Sequence, residues 1–143
     1  MQIERYMGRI SGPLLDRIDL YFEVPAVPYQ ELAAKQNGTS SAAMRTHVQQ
    51  ARDVQTRRFG GEGQRLNSRM TSRQLRKFCV LDTECQGLMQ NAMETLGLSA
   101  RAHDRILRVS RTIADLEGAA DIKHTHLSEA IGYRSLDRKL WAR

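Results

Sequence analysis

Residues 83–118, TECQGLMQNAMETLGLSARAHDRILRVSRTIADLEG, constrain the fold more tightly than any other stretch of this chain. Cys85, Leu88, Met89, Ala92, Met93 and Leu96 recur at helical spacing, Asp82 is placed to cap the first turn, and Gly97 suits a left-handed stop. Ser99 can then cap a second helix, with Ile106, Val109, Ile113 and Leu116 as the expected inward stripe and Gly118 at its end. Both stripes read as core, so the chain must supply other elements to cover them.

The flanking sequence supplies mostly helices. Pro28 is well placed to begin a short helix through Ala34, and QNGTSS is turn and cap chemistry. From Ser41, Met44, His47 or Val48, Ala51 and Val54 predict an amphipathic helix that FGGEG ends. LNSRMTSRQLRKFCVL reads as a loop and a short helix capped by Thr71 or Ser72, and Thr125 is the expected cap of a last helix through Leu127, Ala130 and Ile131. One segment differs. In DLYFEVP, Leu20, Phe22 and Val24 alternate with Tyr21 and Glu23, and Pro25 stops any ladder, which predicts a strand. A lone strand is unstable without neighbours, and no second convincing strand follows, so its sheet is expected to lie outside this sequence.

With 143 residues and 41% apolar content, the chain suffices for one compact domain. No apolar run approaches the roughly 20 residues of a membrane helix, and MQIERYMGRI lacks a signal-peptide core, so a soluble cytoplasmic protein with no membrane partner is expected. Cys79 and Cys85 are too widely spaced for a CxxC pair and too few for a zinc site; both are expected to be reduced core residues, and no metal site is expected.

The net charge of +6 is local. Between Arg45 and Lys77, nine basic residues face two acidic ones, a net +7 that leaves about −1 for the rest of the chain. Eight of the nine are arginine, whose planar fork suits phosphates and carboxylates. Arg45, Arg52, Arg57, Arg58, Arg65 and Arg69 are therefore candidate contacts to DNA or to another subunit, set against a reading as a solvated surface. A second set lies on the penultimate helix, where Arg101, Arg105, Arg108 and Arg111 share one broad side. Like charges at that spacing repel, so something anionic should offset them: Asp104, Asp115 or Glu117 from within, or a nucleotide phosphate from outside. Arg101 sits in the first turn after Ser99, where free backbone N–H groups also favour anions. Arg17, between Asp16 and Asp19, is either a local ion pair or a group reaching a phosphate supplied from elsewhere, because the chain carries no G-x-x-x-x-G-K-[ST] loop.

RYMGRISGPLLDRIDLYFEVP, LSARAHDRILRVSRTIADLEG and HLSEAIGYRSLDR, in this order, resemble the C-terminal third of the magnesium-chelatase-like AAA+ ATPases of the ComM/YifB group, and LNSRMTSRQLRKFCVLD also fits the pattern. The likeness runs from about Arg5 to Arg138; Tyr21 stands where relatives often have histidine. It implies a mainly α fold: a helical AAA+ lid, residues 29–143, preceded in residues 1–28 by the last strand and flanking segment of a truncated α/β ATPase core. Met1 is then expected to mark a start inside the ATPase domain, downstream of the Walker motifs. The resemblance assigns Arg17 as an arginine finger acting in trans on the γ-phosphate bound by an adjacent subunit. It assigns Arg101 as the sensor-2 arginine contacting nucleotide on its own subunit. ATP and Mg2+ are implied for the full-length protein and none for the fragment, which is not expected to hydrolyse ATP alone. The implied partners are the other subunits of a hexameric ring and DNA, with branch migration of DNA as the activity. Two other readings stand beside it: a motor subunit for metal insertion into a tetrapyrrole, and a non-enzymatic helical interaction or DNA-binding module.

Overall fold

The computed structural model describes residues 17–22, 24–33, 38–60 and 66–134. Its helices are α1 (Tyr29–Ala33), α2 (Ser41–Arg58), α3 (Ser72–Phe78), α4 (Thr83–Leu96), α5 (Ala100–Glu117) and α6 (His124–Gly132), with a 3-10 turn at Asn67–Arg69. The mainly α reading holds. α5 is the central element, packing on α2, α3, α6 and the 3-10 turn, while α4 packs on α6.

Local chemistry sets most of the boundaries. Ser40 accepts from the Ala43 N–H (3.2 Å), Asp82 from the Cys85 N–H (2.8 Å) and Ser99 from the Ala102 N–H (3.1 Å). Between the two candidates for α3, Thr71 is the cap: its Oγ1 accepts from the Gln74 N–H at 3.3 Å while the Gln74 side chain accepts from the Thr71 N–H at 2.9 Å, a reciprocal capping box. Gly97 (φ 61°) and Gly118 (φ 74°) close α4 and α5 in the left-handed region. Ser99→Ala should cost about 1 kcal/mol of unfolding free energy, measured by thermal denaturation. No measurable loss would mean that packing alone holds the first turn of α5.

The last helix corrects an expectation. α6 begins at His124, one residue before the expected cap Thr125, because the imidazole of His126 does the capping: its Nδ1 accepts from the Lys123 N–H at 3.0 Å. With Nδ1 accepting, the ring proton lies on Nε2, which donates to Glu117. This ties the start of α6 to the end of α5.

The core is built from Met70, Leu75, Cys79, Cys85, Met89, Ile106, Leu107, Ile122, Leu127 and Ala130. Cys79 and Cys85 are free and buried, and burial pushes the Cys79 thiol up to about 11. The α4 stripe is as expected, with Cys85, Met89 and Ala92 innermost. The stripe of α5 is only partly so, since Ile106 is buried as expected but polar residues share the inner face. Its buried residues are Ala102, Ile106, Leu107, Ser110, Arg111, Ala114 and Asp115, whereas Val109 and Ile113 pack at the core edge and Leu116 is 47% exposed. The helix is turned so that three polar side chains point inward, each with partners there. On α2, likewise, only Ala51 and Gln55 are buried; Met44 and Val48 are half exposed, so its N-terminal half projects from the body.

The expected strand is absent from the described residues of DLYFEVP. No strand among the described residues is available to pair with it. Instead the Tyr21 N–H donates to the Tyr133 carbonyl at 3.0 Å and the Phe22 ring packs on Tyr133 with centroids 5.0 Å apart. Leu20 and Phe22 form one wall of an open groove of about 410 Å³ whose other wall includes Val109, Ile113 and Leu116.

Candidate functional site

The four arginines of α5 have four different fates. Arg111 faces inward: Nε donates to Asp115 (3.1 Å), and its two terminal nitrogens donate to the carbonyls of Ala119 (2.7 Å) and Ala120 (2.8 Å). Arg108 donates to the Met70 carbonyl at 3.0 Å. Arg105, whose side chain is only 15% exposed, donates through one terminal nitrogen to the Asp19 carboxylate and to the main-chain carbonyl of Arg17. Arg101, one turn before Arg105, remains exposed in the first turn of α5.

Asp115 is the internal anion that the sequence required, and it serves two arginines. Besides Arg111 it accepts a bidentate pair from Arg58, one bond of which is 2.6 Å. Asn67 completes the cluster, accepting from Arg58 (3.0 Å) and donating to Asp115 (2.8 Å) and Thr112 (3.1 Å), while its main-chain N–H donates to Gln55 (2.9 Å). The Asp115 side chain is completely buried, Arg111 is 3% exposed and Arg58 is 12% exposed. Arg58 therefore leaves the set of candidate DNA contacts. It turns inward because Asp115, 57 residues away in sequence, needs a counter-charge in a dry site. Of the other internal acids, Glu117 bonds His126, whose hydrogen bond holds its carboxyl below the usual range, and Asp104 pairs with His103.

Arg45, Arg52 and Arg57 on α2 and Arg69 on the 3-10 turn are exposed. Arg45 and Arg52 are seven residues apart and share one helix face. Arg65 lies outside the described residues.

Arg17 is exposed at a turn whose main chain is anchored at residues 17 and 18. Its own carbonyl and the Asp19 carboxylate are held by Arg105, and the Ile18 carbonyl accepts from Arg134 at 2.8 Å. Of the two acids that flank Arg17 in sequence, Asp19 pairs with Arg105, and Asp16 lies outside the described residues. Arg134 is 1% exposed, its guanidinium 5.8 Å from the Tyr21 ring centroid. Sequence reasoning missed it. An arginine just past a helix end reads as a solvated C-terminal charge, whereas its bond to Ile18, 116 residues away, makes it structural. Among the described residues no three His, Cys, Asp or Glu side chains gather as a metal site, and no helix is long and apolar enough to cross a membrane.

Residues 38–134 match the family described as magnesium chelatase, subunit ChlI C-terminal. The chain belongs to that family. Residues 1–32 match the companion family, magnesium chelatase subunit ChlI. Among individual relatives, the competence protein ComM of Haemophilus influenzae is 43% identical over 140 residues, 97% of this chain and 27% of that protein. The YifB proteins of Salmonella typhimurium and Escherichia coli are 42% and 41% identical over the same shares. The chain thus spans about a quarter of the length of these curated relatives. It is a ComM/YifB-like C-terminal region of the magnesium-chelatase family.

Proposed function

We propose that this region is the helical lid of a ring-forming AAA+ ATPase that moves branched DNA, with Arg17 as an arginine finger and Arg101 as a sensor-2 residue. The observation that carries the reading is the placement of the two exposed arginines. One stands in the first turn of α5, and the other on a turn fastened to the same helix one turn further on. Guanidinium groups so displayed fit the oxygens of a nucleotide's phosphates. The domain boundary between residues 28 and 29, and the hexameric ring, belong to the same proposal.

ATP would supply the phosphoryl group and Mg2+ would neutralise its charge, both seated on a part corresponding to the stretch of the relatives that this chain does not match. This chain's part would be to bring Arg101 to the nucleotide of its own subunit and Arg17 to that of the neighbour. The fragment alone would not turn ATP over. ATP turnover by the full-length protein, with Arg17 or Arg101 replaced by alanine, tests this directly. Undiminished turnover in both variants would leave only a helical interaction module.

DNA contact rests on the exposed arginines of the basic segment. Arg45, Arg52, Arg57 and Arg69 are candidates among its exposed arginines, and Arg65 belongs to the same basic segment of the sequence. If they touch phosphates, replacing the five with alanine should flatten the dependence of log K on log salt by about 0.9 for each phosphate left without its arginine. An unchanged slope would assign these residues to a neighbouring subunit. The family description itself favours a second reading, a motor for metal insertion into a tetrapyrrole. Chelatase activity with partner subunits, against movement of branched DNA, separates the two.

A further inference from the structure

Four points of the chain around Arg17 are tied to two helices. Arg105 on α5 takes the Arg17 carbonyl and the Asp19 carboxylate; Arg134, just past α6, takes the Ile18 carbonyl; and Tyr133 takes the Tyr21 N–H. The pair between Arg105 and Asp19 does little for stability, because the Asp19 side chain is 57% exposed and water competes for it. Its effect is geometric. A single guanidinium nitrogen grips the main chain of Arg17 and the side chain two residues on, which fixes the turn from which Arg17 projects. The grip comes from the residue one helical turn after Arg101 on the same rigid helix.

We infer that Arg105 is a positioning residue: it locks the Arg17 turn to the Arg101 helix, so that a tilt of α5 driven by nucleotide at Arg101 carries Arg17 with it. The inference rests on the reading of Arg17 and Arg101 as phosphate-handling groups. The physical requirement is a stiff connection, and α5 supplies it, since its far end is held by the buried cluster around Asp115 and by Glu117 bonded to His126. Without Arg105, the Ile18 and Tyr21 bonds still hold the segment to α6, but no side-chain bond joins the Arg17 turn to α5 at position 105. Arg17 would then sample positions off the line of attack, and a misplacement near 1 Å suffices for about 10²-fold in rate.

The test is a double-mutant cycle in the full-length protein, with kcat and KM for ATP as the readouts. Arg105→Ala should lower kcat by about 10²-fold with KM near the parent value. The double variant Arg17→Ala with Arg105→Ala should be no slower than Arg17→Ala alone, because a positioning residue has nothing left to position. Arg105→Lys should recover part of the loss, since an ammonium can keep one of the two bonds. Asp19→Ala, a change at a half-exposed side chain that leaves the fold intact, should fall between parent and Arg105→Ala and guards against an Arg105→Ala that fails to fold. Losses that multiply in the double variant, or a normal kcat in Arg105→Ala and Asp19→Ala beside a crippled Arg17→Ala, overturn the inference alone. A normal kcat in Arg17→Ala overturns the finger assignment and the inference with it.

Discussion

Arg17→Ala in the full-length protein is expected to slow ATP turnover by about 10³- to 10⁵-fold while leaving ATP binding close to normal. The size follows from what a finger does. Phosphoryl transfer spreads negative charge over oxygens that were less charged in the ground state, and a guanidinium aimed at them in a water-poor interface stabilises the transition state without tightening substrate binding. The effect should therefore appear in kcat. If Arg17 serves the neighbouring subunit, as proposed, adding Arg17→Ala subunits to parent protein should depress turnover by parent sites that gain a mutant neighbour. A loss strictly proportional to the mutant fraction would place Arg17 on its own subunit's nucleotide. An effect in KM alone would make it a binding residue.

Asp115→Asn is expected to cost this domain about 3–5 kcal/mol, read as a lower denaturant midpoint at unchanged slope. The neutral amide keeps the shape of the side chain but removes the carboxylate bonded to both Arg58 and Arg111, leaving two guanidinium groups in a site where Asp115 and Arg111 are essentially dry. An asparagine can also present only one acceptor oxygen where the carboxylate presents two: Oδ1 to Arg58 and Arg111, Oδ2 to Arg58 and Asn67. Since the cluster joins α2, the 3-10 turn, α5 and the loop at Ala119 and Ala120, its failure should loosen all four together. A cost below about 1 kcal/mol, the range of a surface pair, would show that water reaches the site and screens it.

What was legible in the sequence was whatever depends on neighbours a few residues away. Asp82, Thr71 and Ser99 cap, and Gly97 and Gly118 stop, because a cap or a left-handed residue acts within one turn of chain. The last helix escaped this logic because an imidazole took the acceptor role that Thr125 was expected to fill. The α5 stripe was misread for the opposite reason. Counting apolar positions selected Ile106, Val109, Ile113 and Leu116; Ile106 is buried, but Arg111 and Asp115 lie deeper than the other three, a choice decided by partners on other elements. Arg58 and Arg134 carry the same lesson: a cation's side of the surface depends on an acceptor far along the chain. The alternation in DLYFEVP was visible, but a strand exists only with a second one beside it, and here the segment lies against the end of α6. Of the candidate site, the resemblance supplied Arg17 and Arg101, and nothing in the spacing of residues pointed to the fastening between them.

That fastening acts on peptide oxygens. Arg105 and Arg134 hold residues 17 and 18 by carbonyls that every amino acid possesses, so a substitution at position 17 can alter the side chain without detaching the turn that bears it. A full set of replacements at this one position would thus grade charge, reach and hydrogen-bonding pattern against a backbone that stays put.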